Sequence, residues 1–204
     1  MGYPEWMALG TWPTYDSSMA QAAQRRLLTA EDLLELPDDN LRHELVAGRL
    51  VSEPPAFYGH GRIAARFFRF LSAFVRERSL GDVVSTETGF ILARSPDTLR
   101  APDVAFVSNE RLQAAGEIRG FFPGPPDLTV EVLSTDDRPG EVRAKVADYL
   151  AAGARLVWVV DPAQHTVTVY PSLLSPSILQ ETDTLEGGSL LPGFAAPVAD
   201  FFND

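Results

Sequence analysis

The chain has 204 residues, with 17 Lys and Arg against 28 Asp and Glu for a net charge of −11, and no cysteine. That length can bury a sizeable core, and the missing cysteines exclude disulfides and thiolate metal sites. The acidic balance argues against broad, non-specific nucleic-acid binding, which needs a basic surface, although one basic face can coexist with it.

Residues 1–26 mix Gly, Pro, Trp, Tyr and Ser without a sustained period and read as an N-terminal extension; residues 27–204 read as one domain. Thr29 with Asp32 three residues on predicts a capped helix start, ending near Pro37. Glu44 to Val51 predicts a short hairpin turning at Ala47-Gly48. Residues 60–78 predict the clearest helix, with Ile63, Ala64, Phe67, Phe68, Leu71, Phe74 and Val75 on one face. Arg62, Arg66, Arg69 and Arg76 fall on the opposite face, where they form either a solvated stripe or a phosphate-contacting one. His60 opens this helix as a capping or core histidine.

Strands are expected near 82–92 and 100–107, then a loop or short helix over 108–126 closed by Pro123-Gly124-Pro125-Pro126. A strand at 127–133 leads through Ser134-Thr135-Asp136-Asp137 to a helix near 138–152, stopped by Gly153. Arg155 to Val160 predicts a further strand holding Trp158, with His165 to Tyr170 as its hairpin partner. Trp158 and Tyr149 read most simply as core residues. Turns and short strands follow. The order predicts an α/β fold with a mixed sheet flanked by helices. No run of about 18 apolar residues suggests a membrane span, and no basic-then-apolar leader is visible, so the expected location is cytoplasmic.

Three polar residues interrupt apolar elements. Asp103 stands in Ala101-Pro102-Asp103-Val104-Ala105-Phe106-Val107, Glu131 in Leu128-Thr129-Val130-Glu131-Val132-Leu133, and Lys145 in the helix-like run Glu141–Leu150. A carboxylate inside a buried strand is costly unless a metal, a cation or hydrogen bonds compensate it. Asp103 and Glu131, with a backbone carbonyl such as that of Val132, would offer Mg²⁺ the hard oxygens it prefers. Lys145 lies at the edge of the Val142, Val146, Tyr149 and Leu150 stripe and can lean toward the sheet. There it can orient or deprotonate a metal-bound water, or stabilise charge on a phosphate. Each residue also has a plain alternative: Asp103 as a cap after Pro102, Glu131 on the outer face of an edge strand, Lys145 as a snorkelling surface lysine. Spacing does not choose between the two.

The same segments, with His43-Glu44-Leu45-Val46-Ala47-Gly48-Arg49-Leu50-Val51 and Gly59-His60-Gly61 upstream, and Val157-Trp158-Val159-Val160-Asp161-Pro162 and Leu190-Leu191-Pro192-Gly193-Phe194 downstream, form a long ordered pattern. Over roughly residues 27–203 it resembles the Uma family of restriction-endonuclease-like proteins, a branch of the PD-(D/E)XK nuclease superfamily. The resemblance implies a restriction-endonuclease-like fold and hydrolysis of DNA phosphodiester bonds with Mg²⁺, or Mn²⁺ in its place. It implies that Asp103 is the Asp of the PD motif and Glu131 the second acid. It implies that Lys145 supplies the lysine from the following helix, and that Glu44 is an upstream acid that binds or orients the metal, an exposed hairpin glutamate being its alternative.

The chain departs from the pattern in places. Leu133 occupies the position where the wider superfamily has its lysine, Glu141 stands where Asp is common, and the loop Ser134–Arg138 is unusually acidic. Cutting both strands would call for two active sites, hence a homodimer. Two rivals stand beside the nuclease: a domain that keeps the fold and binds a partner without catalysis, which the net charge favours, and a hydrolase of smaller phosphoesters.

Overall fold

A computed structural model describes residues 26–85 and 88–203; apart from Arg26, the proposed N-terminal extension lies outside them. The first helix among the described residues, α1 (Ala30–Leu34), opens with a capping box in which Thr29 and Asp32 bond each other's backbone. It ends three residues short of Pro37. Strands β1 (Arg42–Val46) and β2 (Arg49–Glu53) form the expected hairpin, paired from Arg42↔Glu53 to Val46↔Arg49. Both turn residues have positive φ, Ala47 at 49° and Gly48 at 75°. A side chain at Gly48 would also bring its Cβ within 2.8 Å of Leu27, so glycine meets two demands there.

Helix α2 (Tyr58–Arg78) buries Ile63, Ala64, Phe67, Leu71 and Val75, the stripe its periodicity announced. The region expected as two strands is four. β3 (Gly81–Ser85) and β4 (Phe90–Ala93) belong to different sheets, as do β5 (Thr98–Arg100) and β6 (Val104–Ser108). The chain crosses between sheets at Ala101-Pro102-Asp103. Pro102 lacks a backbone N–H to continue a ladder, so Asp103 lies just before β6 rather than inside a strand. After the short helix α3 (Asn109–Ala115) come β7 (Leu128–Val132), helix α4 (Pro139–Ala152), β8 (Leu156–Asp161) and β9 (Thr166–Tyr170). Helix α4 stops at Gly153, whose φ of 104° suits glycine. Three short strands, β10 (Ser177–Leu179), β11 (Thr184–Glu186) and β12 (Ala195–Pro197), and a 3₁₀ turn at Val198–Phe201 complete the described chain.

The larger sheet has the order β10-β9-β8-β7-β6-β3, and a four-stranded sheet has the order β2-β1-β5-β4. Within the larger sheet β7 and β8 are parallel, while β6 runs antiparallel to β7. The end of β7 and the start of β6 therefore share one edge. Strand alternation then sorts side chains. Leu128, Val130, Val132, Trp158 and Val160 pack with α2. Val157 and Val159 face the other way, onto Val146 and Tyr149 of α4. Glu131, between Val130 and Val132, is carried to the α4 face with them.

Candidate active site

Glu131 is 7% exposed and meets two side chains of α4 that stand one helical turn apart. The Tyr149 hydroxyl donates to Oε1 at 2.6 Å, and the Lys145 ammonium donates to Oε2 at 3.3 Å. Lys145 also lies 3.5 Å from Glu44 Oε1 and 3.9 Å from Glu53 Oε1. It leans onto the sheet and is not a solvated surface lysine. Glu44 is fully buried, which rules out the exposed hairpin glutamate. It accepts from the Ala101 N–H at 2.9 Å and from Arg100 Nη1 at 2.8 Å. Arg100 spends its other donors on Asp148 of α4, at 3.0 and 2.6 Å. The smaller sheet thus delivers Glu44, Glu53 and Arg100 to the face of α4 that reaches Glu131.

Asp103 is 2% exposed and is tied to the end of β7 by the Val132 N–H, which donates to Oδ2 at 2.8 Å. His60 Nε2 approaches the same oxygen at 3.2 Å, and Arg42 Nη1 lies 3.4 Å from Oδ1. Arg42 in turn pairs with Glu53. His60 is therefore not a helix cap; Phe57 holds the N-cap position without a side-chain bond, and His60 reaches across to the acid.

The electrostatics separate the acids. Burial pushes the Glu131 carboxyl up, to about 7; Lys145 and Tyr149 pull down while Asp103 and Glu44 add repulsion. Burial also works to raise Glu44, but Lys145, Arg100 and the Ala101 N–H outweigh it and hold it below the usual carboxylate range. For Asp103 burial is overcome by His60, the Val132 N–H and Arg42, and the net is again downward. Burial alone would lower the Lys145 ammonium; Glu131, Glu44 and Glu53 reverse this, and its pKa is raised. Burial would lower His60 too, and Asp103 more than offsets it.

The cluster gathers Asp103, Glu131, Lys145 and Glu44, together with the backbone of Val132. Arg42, Glu53, His60, Arg100, Asp148 and Tyr149 were not singled out for it in the sequence. Arg100 left one signal: a cation two residues before Pro102, between the apolar residues Leu99 and Ala101. Leu133 packs with the apolar cluster around Val157 and Val159, and Lys145 is the cation that reaches Glu131.

Five carboxylates, Glu44, Glu53, Asp103, Glu131 and Asp148, here face three permanent cations, Arg42, Arg100 and Lys145. The donors are hard oxygens, and the least compensated of them is Glu131. Such a set suits a hard divalent cation. Among the described residues no group of three or more His, Cys, Asp or Glu is spaced to hold a metal. A cation would therefore rest on two carboxylates and complete its shell with water and backbone oxygen, as Mg²⁺ commonly does.

The family described as "Uma2: Putative restriction endonuclease" matches residues 30–199. A solved structure, described as a "putative nuclease belonging to DUF820 from Anabaena variabilis ATCC 29413", superposes with a TM-score of 0.74 at 21% identity over 86% of this chain and 97% of that one. That likeness establishes the fold, a mixed α/β restriction-endonuclease-like architecture. No curated protein matches significantly. Among the described residues no helix is long and apolar enough to cross a membrane.

Proposed function

Because the chain belongs over residues 30–199 to the Uma2 family, whose description reads "Putative restriction endonuclease", we propose that it hydrolyses DNA phosphodiester bonds at the Asp103–Glu131–Lys145 cluster with Mg²⁺ or Mn²⁺. The observation that carries this reading is the convergence of two buried acids from adjacent strand ends with one lysine from α4. Asp103 and Glu131 are the residues that would hold the cation, and the backbone carbonyl of Val132 would be a third oxygen for it. When bound, the cation would supply Lewis-acid polarisation of the phosphate and lower the pKa of a coordinated water.

The chain's own residues do the positioning. Arg42, His60 and the Val132 N–H fix the Asp103 carboxylate. Tyr149 fixes that of Glu131. Lys145, with its pKa raised by three acids, stays protonated. Its part is therefore to orient the attacking water and to stabilise charge on the phosphate rather than to remove a proton. Glu44 is auxiliary: it sets the place and charge of Lys145 and is shielded by Arg100. A homodimer and a cytoplasmic setting belong to the same proposal.

The test is incubation of supercoiled plasmid with the protein in Mg²⁺, then Mn²⁺, beside the Asp103→Ala and Lys145→Ala variants. Nicking or linearisation by the parent, lost in both folded variants, supports the assignment. Cleavage by Asp103→Ala at the parent rate sinks it.

A further inference from the structure

Resting on that reading, we infer that a cavity beside Asp103 receives one unstacked nucleobase, so that the preferred substrate is single-stranded or locally unpaired. The cavity has a volume of about 260 Å³ and lies outside the carboxyl ends of the parallel strands β7 and β8, against the first turn of α2. In open α/β sheets that edge is where ligands bind. Its walls include Phe57, His60, Arg62, Thr135, His165 and Phe202.

Two observations join it to the acids. His60, one of its walls, is the residue whose Nε2 lies 3.2 Å from Asp103 Oδ2. Thr135 belongs to the loop that leaves β7 just after Glu131 and Val132. A nucleotide whose phosphate sits at Asp103 and Glu131 has its own or a neighbouring base within reach of this opening.

The lining suits a base. Phe202 and His165 present stacked rings, 4.9 Å apart and 4° from parallel. Phe57, one of its walls, is 70% exposed. A large aromatic held in water at an opening is a stacking platform, and every base offers a π-face to it. Thr135 brings a hydroxyl for the base edge. The volume falls below the roughly 300 Å³ at which drug-sized sites begin. It has room for one base, and a base in an intact duplex cannot enter without leaving its stack.

Fluorescence anisotropy on three end-labelled DNAs of equal strand length, in Ca²⁺ and in EDTA, tests this. The probes are a thymidine oligomer, an abasic oligomer with the same backbone charge, and a duplex. The thymidine oligomer should bind tightest, the abasic one roughly tenfold more weakly. Phe57→Ala should remove that base-dependent factor, leave the abasic affinity unchanged, and be rescued by Phe57→Trp. Phe57 is exposed, so the variant folds. The inference is overturned if the abasic or duplex DNA binds as tightly as the thymidine oligomer, if Phe57→Ala changes nothing, or if no DNA binds. Failure of the nuclease reading looks different: base-dependent binding by a parent that cuts no DNA. Asp103→Ala should keep the base-dependent binding while losing cleavage.

Discussion

Lys145 and Tyr149 stand one turn apart on α4 and divide the Glu131 carboxylate between them, one oxygen each. The pair holds in place a carboxyl that burial has pushed up to about 7. Tyr149→Phe removes one hydrogen bond to a charged group without changing the packing. The expected cost is about 1.5–3 kcal/mol, read as a lower urea midpoint at unchanged slope. Because the hydroxyl favours the ionised form, its loss should raise the Glu131 pKa further and weaken Mg²⁺ binding near neutral pH. An unchanged midpoint and unchanged metal affinity would show that the hydroxyl is not holding Glu131.

Lys145→Met acts on chemistry as well as on stability. Glu131 and Glu44 lose their shared cation, and removing one partner of a buried pair costs about 3–5 kcal/mol. Plasmid cleavage should fall by about 10²-fold or more even where circular dichroism shows the variant folded. Lys145→Arg keeps the charge but replaces a compact ammonium by a broad fork, and should recover stability more than rate. A Lys145→Met variant that cleaves at the parent rate would remove the lysine from the mechanism.

With Lys145, Arg100 is one of the two cations that make a fully buried Glu44 tolerable. It is 7% exposed at the side chain and links Glu44 on β1 to Asp148 on α4. Arg100→Met leaves Glu44 with Lys145 as its one cation and Asp148 without its Arg100 partner, and should lower stability by about 3 kcal/mol while leaving Asp103 and its partners in place. Arg100→Lys cannot reach both acids through a fork and should recover less than half of the loss. Chemical denaturation at pH 7 measures both variants.

Much of this was legible because period and punctuation agree. The Thr29–Asp32 box, the Ala47-Gly48 turn, the apolar stripe of α2 and the Gly153 stop are local signals, and each appears where the residues placed it. The separation of β3 from β4 and of β5 from β6 was not legible. Which sheet a short strand joins depends on partners far along the chain, and nothing local marks Ala101-Pro102-Asp103 as a crossing between sheets. The site divides in the same way. Asp103, Glu131 and Lys145 stood out as charges in apolar runs. Glu44 and Arg100 each sit in a short segment that reads equally well as an exposed hairpin edge; only the pairing of β1 with β5 buries them together. His60 looked like a helix-start residue because its partner Asp103 lies 43 positions on, beyond any local pattern.

The acid limb of stability should follow Glu44. Its pKa is lowered in the folded protein, so the folded state binds fewer protons than the unfolded one below the ordinary Glu value near 4.5. Its contribution is present above that pH and is lost as pH falls through the folded value. Glu131 has the opposite sign. Raised to about 7, it favours folding when protonated, and its contribution fades as pH rises from 4.5 to 7. Melting temperature should therefore decline on both flanks. Glu44→Gln should flatten the acid decline and, because it removes one of the charges that raise Glu131, also make the slope between pH 5 and 7 shallower; an acid decline as steep as the parent's would assign that limb to other carboxylates.

Metal binding should be weak in both single-acid variants. Two carboxylates are few ligands for a divalent cation, so removing one leaves the other too little to bind against water. Asp103→Asn keeps the shape and the Val132 N–H contact but removes the charge that Arg42 and His60 compensate. Isothermal titration of the parent with Mn²⁺ at pH 7 should show one site per chain and release of part of a proton, since Glu131 is about half protonated at that pH. Repeating the titration in buffers of different ionisation enthalpy measures that proton. Asp103→Asn and Glu131→Gln should each lower the affinity at least tenfold, and Glu131→Gln should also reduce the proton release. A parent that binds no Mn²⁺ while fully folded would shift the reading from a metal nuclease to a domain that keeps the nuclease fold for binding alone.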